Sequence, residues 1–136
     1  MPEPSLYYYK CELYGKRSKR GVRDPVIDGD TIDVLCDLGY GVKMELRLRL
    51  VGINTPESRT RNKAEKVMGL AAKSFLKNLL EEADSIEFLS HDRGKYGRVL
   101  AELYTIKHGA RTNVNDLLVK TGHAREYHGG KREPWA

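Results

Sequence analysis

From the first residues the chain alternates between two kinds of position. Tyr7, Tyr9, Cys11 and Leu13 fall on one side, and Tyr8, Lys10, Glu12 and Tyr14 on the other. That period of two predicts a half-buried β-strand over 6–14. A charged, glycine-bearing segment at 15–25 interrupts it, Val26 and Ile27 resume it, and Asp28-Gly29 is a hairpin turn signal. A second alternation over 31–38 directs Ile32, Val34, Cys36 and Leu38 inward. After the turn Gly39-Tyr40-Gly41, a third strand over 42–51 places Val42, Met44, Leu46, Leu48 and Leu50 on one face. Lys43, Glu45, Arg47 and Arg49 take the other.

From Asn62 the period changes. Asn62 with Glu65 three positions on is a capping-box variant, and Ala64, Met68, Ala71, Ala72, Phe75, Leu76, Leu79, Leu80 and Ala83 then follow helical spacing. Strand patterns return over 85–90 and 98–106, and a short helix is predicted over 114–120, stopped by Gly122. The class is therefore α+β with two main helices. Pattern alone suits either a five-stranded OB-type barrel or a four-stranded sheet with helices on one face.

A chain of 136 residues forms one domain, here 1–136, with 15–25 as a basic insertion and 129–136 as a short tail. No apolar run approaches the roughly 20 residues of a membrane span. The first ten residues lack a basic start followed by an apolar stretch, which implies a cytoplasmic protein or a leader already removed. The net charge of +5 points to a polyanionic partner, and its distribution sharpens the point: 15–25 alone carries +4. Lys16, Arg17, Lys19 and Arg20 are its candidate phosphate contacts, against the bland reading of a solvated loop. Two cysteines make neither a disulfide framework nor a zinc site, and Cys11 and Cys36 read as buried free thiols of a reducing compartment. His91, His108, His123 and His128 lack metal-ligand spacing.

The candidate chemistry lies in three short motifs. Asp28-Gly29-Asp30-Thr31 is on one reading a hairpin turn, but Asp30 just beyond it is a carboxylate at the start of a strand. Arg49 ends a strand, and Asn54-Thr55-Pro56-Glu57 leaves it at a proline that holds Thr55 extended. Lys95-Tyr96-Gly97-Arg98 opens the last long strand. Two acids and two arginines are what hydrolysis of a phosphodiester with one hard metal ion requires: the acids hold the cation and activate water, and the guanidiniums neutralise the phosphate. Periodicity does not choose between Arg47 and Arg49, which share a face. Arg47 reads as solvated.

Taken in this order and spacing, from about Tyr7 to Tyr127, these motifs resemble the staphylococcal nuclease (thermonuclease) family, especially its short single-domain bacteriophage forms. The resemblance implies an OB-fold barrel, Ca2+ as cofactor, DNA or RNA or both as substrate, and P–O5′ cleavage leaving 3′-phosphates. No protein partner is implied, and a monomer is expected. By resemblance Asp30, Asn54 and the Thr55 carbonyl hold the metal, with Asp28 behind them. Glu57 activates water, and Arg49 and Arg98 stabilise the phosphate. Lys95 and Tyr96 contact the nucleotide, and Tyr127 either stacks on a base or is a barrel-edge tyrosine. Two features depart from the pattern: Asn54 stands where the family has a second metal-binding aspartate, and 15–25 is inserted. Asn54 keeps the alternative of a nuclease-like module that binds nucleic acid with little or no catalysis. A small protein-interaction domain is a third reading that no motif supports.

Overall fold

The computed structural model describes residues 7–93 and 97–135. Lys95 and Tyr96, the expected nucleotide contacts, lie outside the described residues. The strands are β1 (Tyr8–Leu13), β2 (Arg17–Ser18), β3 (Gly21–Val22), β4 (Val26–Asp28), β5 (Thr31–Gly39), β6 (Val42–Leu50), β7 (Ile53–Asn54), β8 (Ser85–Arg93), β9 (Val99–Lys107), β10 (Ala110–Asn113) and β11 (Arg125–Glu126). The helices are α1 (Lys63–Glu82) and α2 (Val114–Lys120). The main sheet is mixed. β5 runs antiparallel to β6, β8 to β9 and β1 to both β5 and β8, whereas β6 and β9 are parallel. Arrangement and class agree with a nuclease-like, OB-like α+β fold.

The alternating residues meet in one core. Ile32, Val34, Cys36, Leu48 and Leu50 from the β5–β6 hairpin pack with Phe88, Leu103, Leu76 and Leu118, all nearly or fully buried. The expectation that the whole hairpin faces inward fails at its tip. Leu38, Val42 and Met44 are exposed because β5 and β6 extend past the core and no element covers them there. Asn62 caps α1, its Oδ1 accepting from the Glu65 N–H at 3.1 Å. Ala64 and Ala71, expected on the buried face of α1, are exposed, and the buried stripe is Gly69, Ala72, Leu76 and Leu80.

Three short strands escaped the sequence pattern. β7, β10 and β11 are two to four residues long, too short to show a period. The basic insertion is itself a small hairpin of β2 and β3, with Lys16, Arg17, Lys19 and Arg20 exposed. It is tethered to the middle of α1 by Asp24, which pairs with Lys73 and Lys77 at 3.5 Å each. Cys11 and Cys36 are free and stand directly opposite each other across β1 and β5. Cys36 is buried and Cys11 partly so, and burial pushes the Cys11 thiol up to about 12. Among the described residues no helix is long and apolar enough to cross a membrane.

Candidate active site

The β4–β5 turn and the β7–α1 loop meet because α1 crosses both without side chains in the way. A Cβ at Gly69 would overlap the Glu57 carbonyl, and one at Gly29 would lie 2.8 Å from the Ala72 Cβ. Small residues at 29, 69 and 72 therefore let the helix press the turn and the loop together. Asp28 completes the clamp: its Oδ1 accepts from the Ser58 N–H at 3.1 Å and from the Ser58 hydroxyl. Asp28 thus ties β4 to the loop that carries Thr55 and Glu57.

Asp30 is buried at the centre of this junction. Its Oδ1 accepts from the Thr31 hydroxyl at 3.0 Å and its Oδ2 from the Thr55 N–H at 3.1 Å. Arg49 approaches the same Oδ2 at 3.4 Å. The arginine is held mainly by main chain, Nη1 donating to the Leu50 carbonyl at 2.6 Å and Nη2 to the Ile53 carbonyl at 2.9 Å. Burial lowers the Arg49 pKa. Asp30 opposes that shift, and the charges of Arg132 and Arg98 add to it. Beside Asp30, Asn54 is buried with its Oδ1 lacking any hydrogen-bond partner, as does the Thr55 hydroxyl.

An unpartnered buried amide oxygen on the residue before Thr55, whose N–H binds the Asp30 carboxylate, fits a hard cation, which takes carboxylate, amide and main-chain carbonyl oxygens alike. Among the described residues no group of three or more His, Cys, Asp or Glu side chains could hold a metal. The oxygen set of Asp30, Asn54 and Thr55 is of another kind, with a single carboxylate. Glu57 stands at the solvent edge, its side chain 55% exposed and its Oε1 3.8 Å from Arg132 Nη1. Arg98, half-buried, opens β9 beside the end of β6.

Arg47 departs from its expected role as a solvated residue. It forms a two-point pair with Asp33, Nε to Oδ1 at 2.7 Å and Nη2 to Oδ2 at 3.0 Å, with Asp33 almost fully buried. Tyr127 is half-buried and its hydroxyl donates to the Gly130 carbonyl at 2.8 Å. The basic hairpin has no bond to the central cluster among those described; Asp24 joins it to α1.

Sequence reasoning missed Thr31, Ser58, Gly69 and Arg132. Gly69 had a signal, an isolated glycine inside a helical pattern. Thr31 and Ser58 merely follow their motifs. Arg132 had none. It reaches the site because β11 pairs with β7, Arg125 opposite Asn54, and because Tyr127 N–H donates to the Gly52 carbonyl at 2.8 Å.

Comparison with known proteins points to one family. The family model described as staphylococcal nuclease homologue matches residues 47–134, a stretch that includes Arg49, Asn54, Glu57 and Arg98. An uncharacterized protein of Bacillus anthracis is 37% identical over 119 residues, which cover 85% of this chain and 50% of that protein. Protein ParB of Escherichia coli is 34% identical over 122 residues, covering 85% of this chain and 62% of ParB. The thermonuclease of Staphylococcus hyicus is 34% identical over 101 residues, covering 74% of this chain and 54% of that enzyme. The chain thus spans about half to three-fifths of the length of these relatives. With more than half its length matched by that model, the chain belongs to the staphylococcal nuclease homologue family.

Proposed function

We propose that this chain is a metal-dependent nuclease that hydrolyses phosphodiester bonds of DNA, RNA or both. One observation carries the reading: Asp30, the unpartnered Asn54 oxygen, Thr55 and Arg49 converge in one buried cluster with Glu57 at its edge. Asp30, Asn54 Oδ1 and the Thr55 carbonyl would hold the cation, Ca2+ by family resemblance. Once bound, that cation supplies charge that attracts a phosphate oxygen and acidifies nearby water.

The remaining chemistry belongs to side chains. Glu57, on the exposed lip, accepts a proton from the attacking water at a carboxylate oxygen. Arg49, pinned by two carbonyls, needs little reorganisation to donate to the phosphate as its negative charge grows, and Arg98 donates from β9. In-line attack expels the O5′ oxygen and leaves a 3′-phosphate. Asp28 holds the Glu57 loop in place through Ser58. Lys16, Arg17, Lys19 and Arg20 contact flanking phosphates, and Tyr127 offers a ring to a base. In the same reading the ring of pairings through β1, β8, β9, β6 and β5 is a five-stranded OB-type barrel.

The test is digestion of single- and double-stranded DNA and RNA by purified protein, with Ca2+ and with a chelator. Chelator-sensitive cleavage is expected, and no cleavage of any substrate in Ca2+ would overturn the enzymatic reading. Binding without cleavage would instead identify the nuclease-like binding module that the neutral Asn54 favours.

A further inference from the structure

The segment beyond β11 folds back over the cluster. Arg125 fixes its end, Nη1 donating to the Pro134 carbonyl at 3.1 Å while the guanidinium stacks on the Trp135 ring at 3.9 Å. A cavity of about 190 Å³ is lined by Asn54, Thr55, Glu57 and Glu65 together with Arg132 and Glu133 of this segment. Arg132 lies between Glu57, at 3.8 Å, and the Tyr127 ring, 5.6 Å from its centroid.

Arg132 therefore shares one cavity with Asn54, Thr55 and Glu57, the residues proposed to hold the cation and activate water. The Glu57–Arg132 contact is long, and both side chains are about half exposed, so the pair is weak and a phosphate displaces it readily. We infer that Arg132 is a third substrate-binding arginine of this site. In the free protein it rests on Glu57. When a strand is bound it moves onto a phosphate next to the scissile one and leaves Glu57 to the attacking water. The inference rests on the nuclease reading for its substrate, while its binding half stands independently of catalysis.

Two measurements test it with the full chain. Binding of a fluorescent single-stranded oligonucleotide in chelator is titrated against salt, for the native protein and for Arg132→Ala and Arg132→Lys. Arg132→Ala should weaken binding about ten- to hundredfold and reduce the salt slope by about 0.7, with Arg132→Lys recovering most of both. An unchanged slope in Arg132→Ala overturns the inference, even if the protein cleaves well. Conversely, a reduced slope in a protein that cleaves nothing supports the contact and rejects only the enzymatic reading. If cleavage occurs, Arg132→Ala should raise KM for oligonucleotides and leave kcat/KM for a dinucleoside monophosphate, which has no neighbouring phosphate, unchanged or higher. Equal losses on both substrates would place Arg132 on the scissile phosphate and overturn the assignment.

Discussion

Two aspartate–arginine pairs lie near each other, Asp33–Arg47 on a rung of the β5–β6 hairpin and Asp30–Arg49 where Asp30 precedes β5, and they are built differently. Asp33 faces Arg47 directly, and the two close a bidentate pair that uses both carboxylate oxygens and two guanidinium nitrogens. Asp30 and Arg49 share a single 3.4 Å contact. Asp30 is held by Thr31 and Thr55, and Arg49 by the carbonyls of Leu50 and Ile53. The first pair has satisfied itself, and the Arg47 pKa is raised by its hydrogen bond to Asp33. In the second, each charge is held chiefly by main chain and neighbours, and the two meet only in that one longer contact. Such an arrangement presents charge to a ligand in place of spending it on the fold.

The largest expected effects separate the two pairs. Arg49→Ala should lower kcat by roughly a hundred- to a thousandfold, about 2.7–4 kcal/mol of barrier, with little change in urea midpoint. Arg47→Ala should do the reverse. It leaves Asp33 buried without its partner, at a cost of about 3–5 kcal/mol, while kcat per folded molecule stays within a few-fold. Cleavage kinetics beside urea denaturation of both variants is the measurement. Loss of kcat in a fully folded Arg47→Ala protein would break the comparison.

A second variant probes what keeps the Asp30 pair loose. Gly69→Ala forces α1 off the Glu57 carbonyl, so it should destabilise by about 1–3 kcal/mol and lower kcat as the loop bearing Thr55 and Glu57 shifts. Thermal melting and kinetics read the two effects separately; a stable variant with native kcat would show that the helix does not set the loop.

Asn54→Asp adds a carboxylate beside Asp30. Calorimetry with a nucleotide analogue present should show Ca2+ bound more tightly, on the order of tenfold. Unchanged or weaker affinity would remove residue 54 from the metal set.

The smallest effect belongs to an exposed pair. Burial raises the Asp24 pKa, but the Val26 N–H, Lys73 and Lys77 outweigh it and the net shift is downward. A lowered folded pKa gives stability that is present above the unfolded value of about 3.9 and is lost as pH falls through the folded value. Asp24→Asn should therefore cost about 0.2–1 kcal/mol near neutral pH, and the difference should vanish in strong acid. A constant difference across a pH series of urea melts would show that charge is not what tethers the hairpin.

Much of this was legible in the chain. α1, α2 and the long strands follow from periodicity and caps, because a repeating hydrophobic face reports which side is buried wherever the element lies on the core. The Leu38–Met44 tip broke that rule because alternation persists in a hairpin after the core has ended. The motifs named Asp30, Arg49, Asn54, Glu57 and Arg98 as one candidate set, and the fold brings Asp30, Asn54, Thr55 and Arg49 into direct proximity.

Local residue order determined the elements, the turn chemistry and the residue types available for phosphate and cation. Tertiary structure alone decided which aspartate an arginine would meet. Arg47 and Arg49 share a face and a period, and they differ in what the fold places against them: Asp33 across the rung in one case, the Leu50 and Ile53 carbonyls and the more distant Asp30 in the other. It also decided that Gly69 must be small and that Arg132 reaches Glu57. Contacts between segments tens of residues apart leave no period in the sequence, because they depend on how completed elements pack.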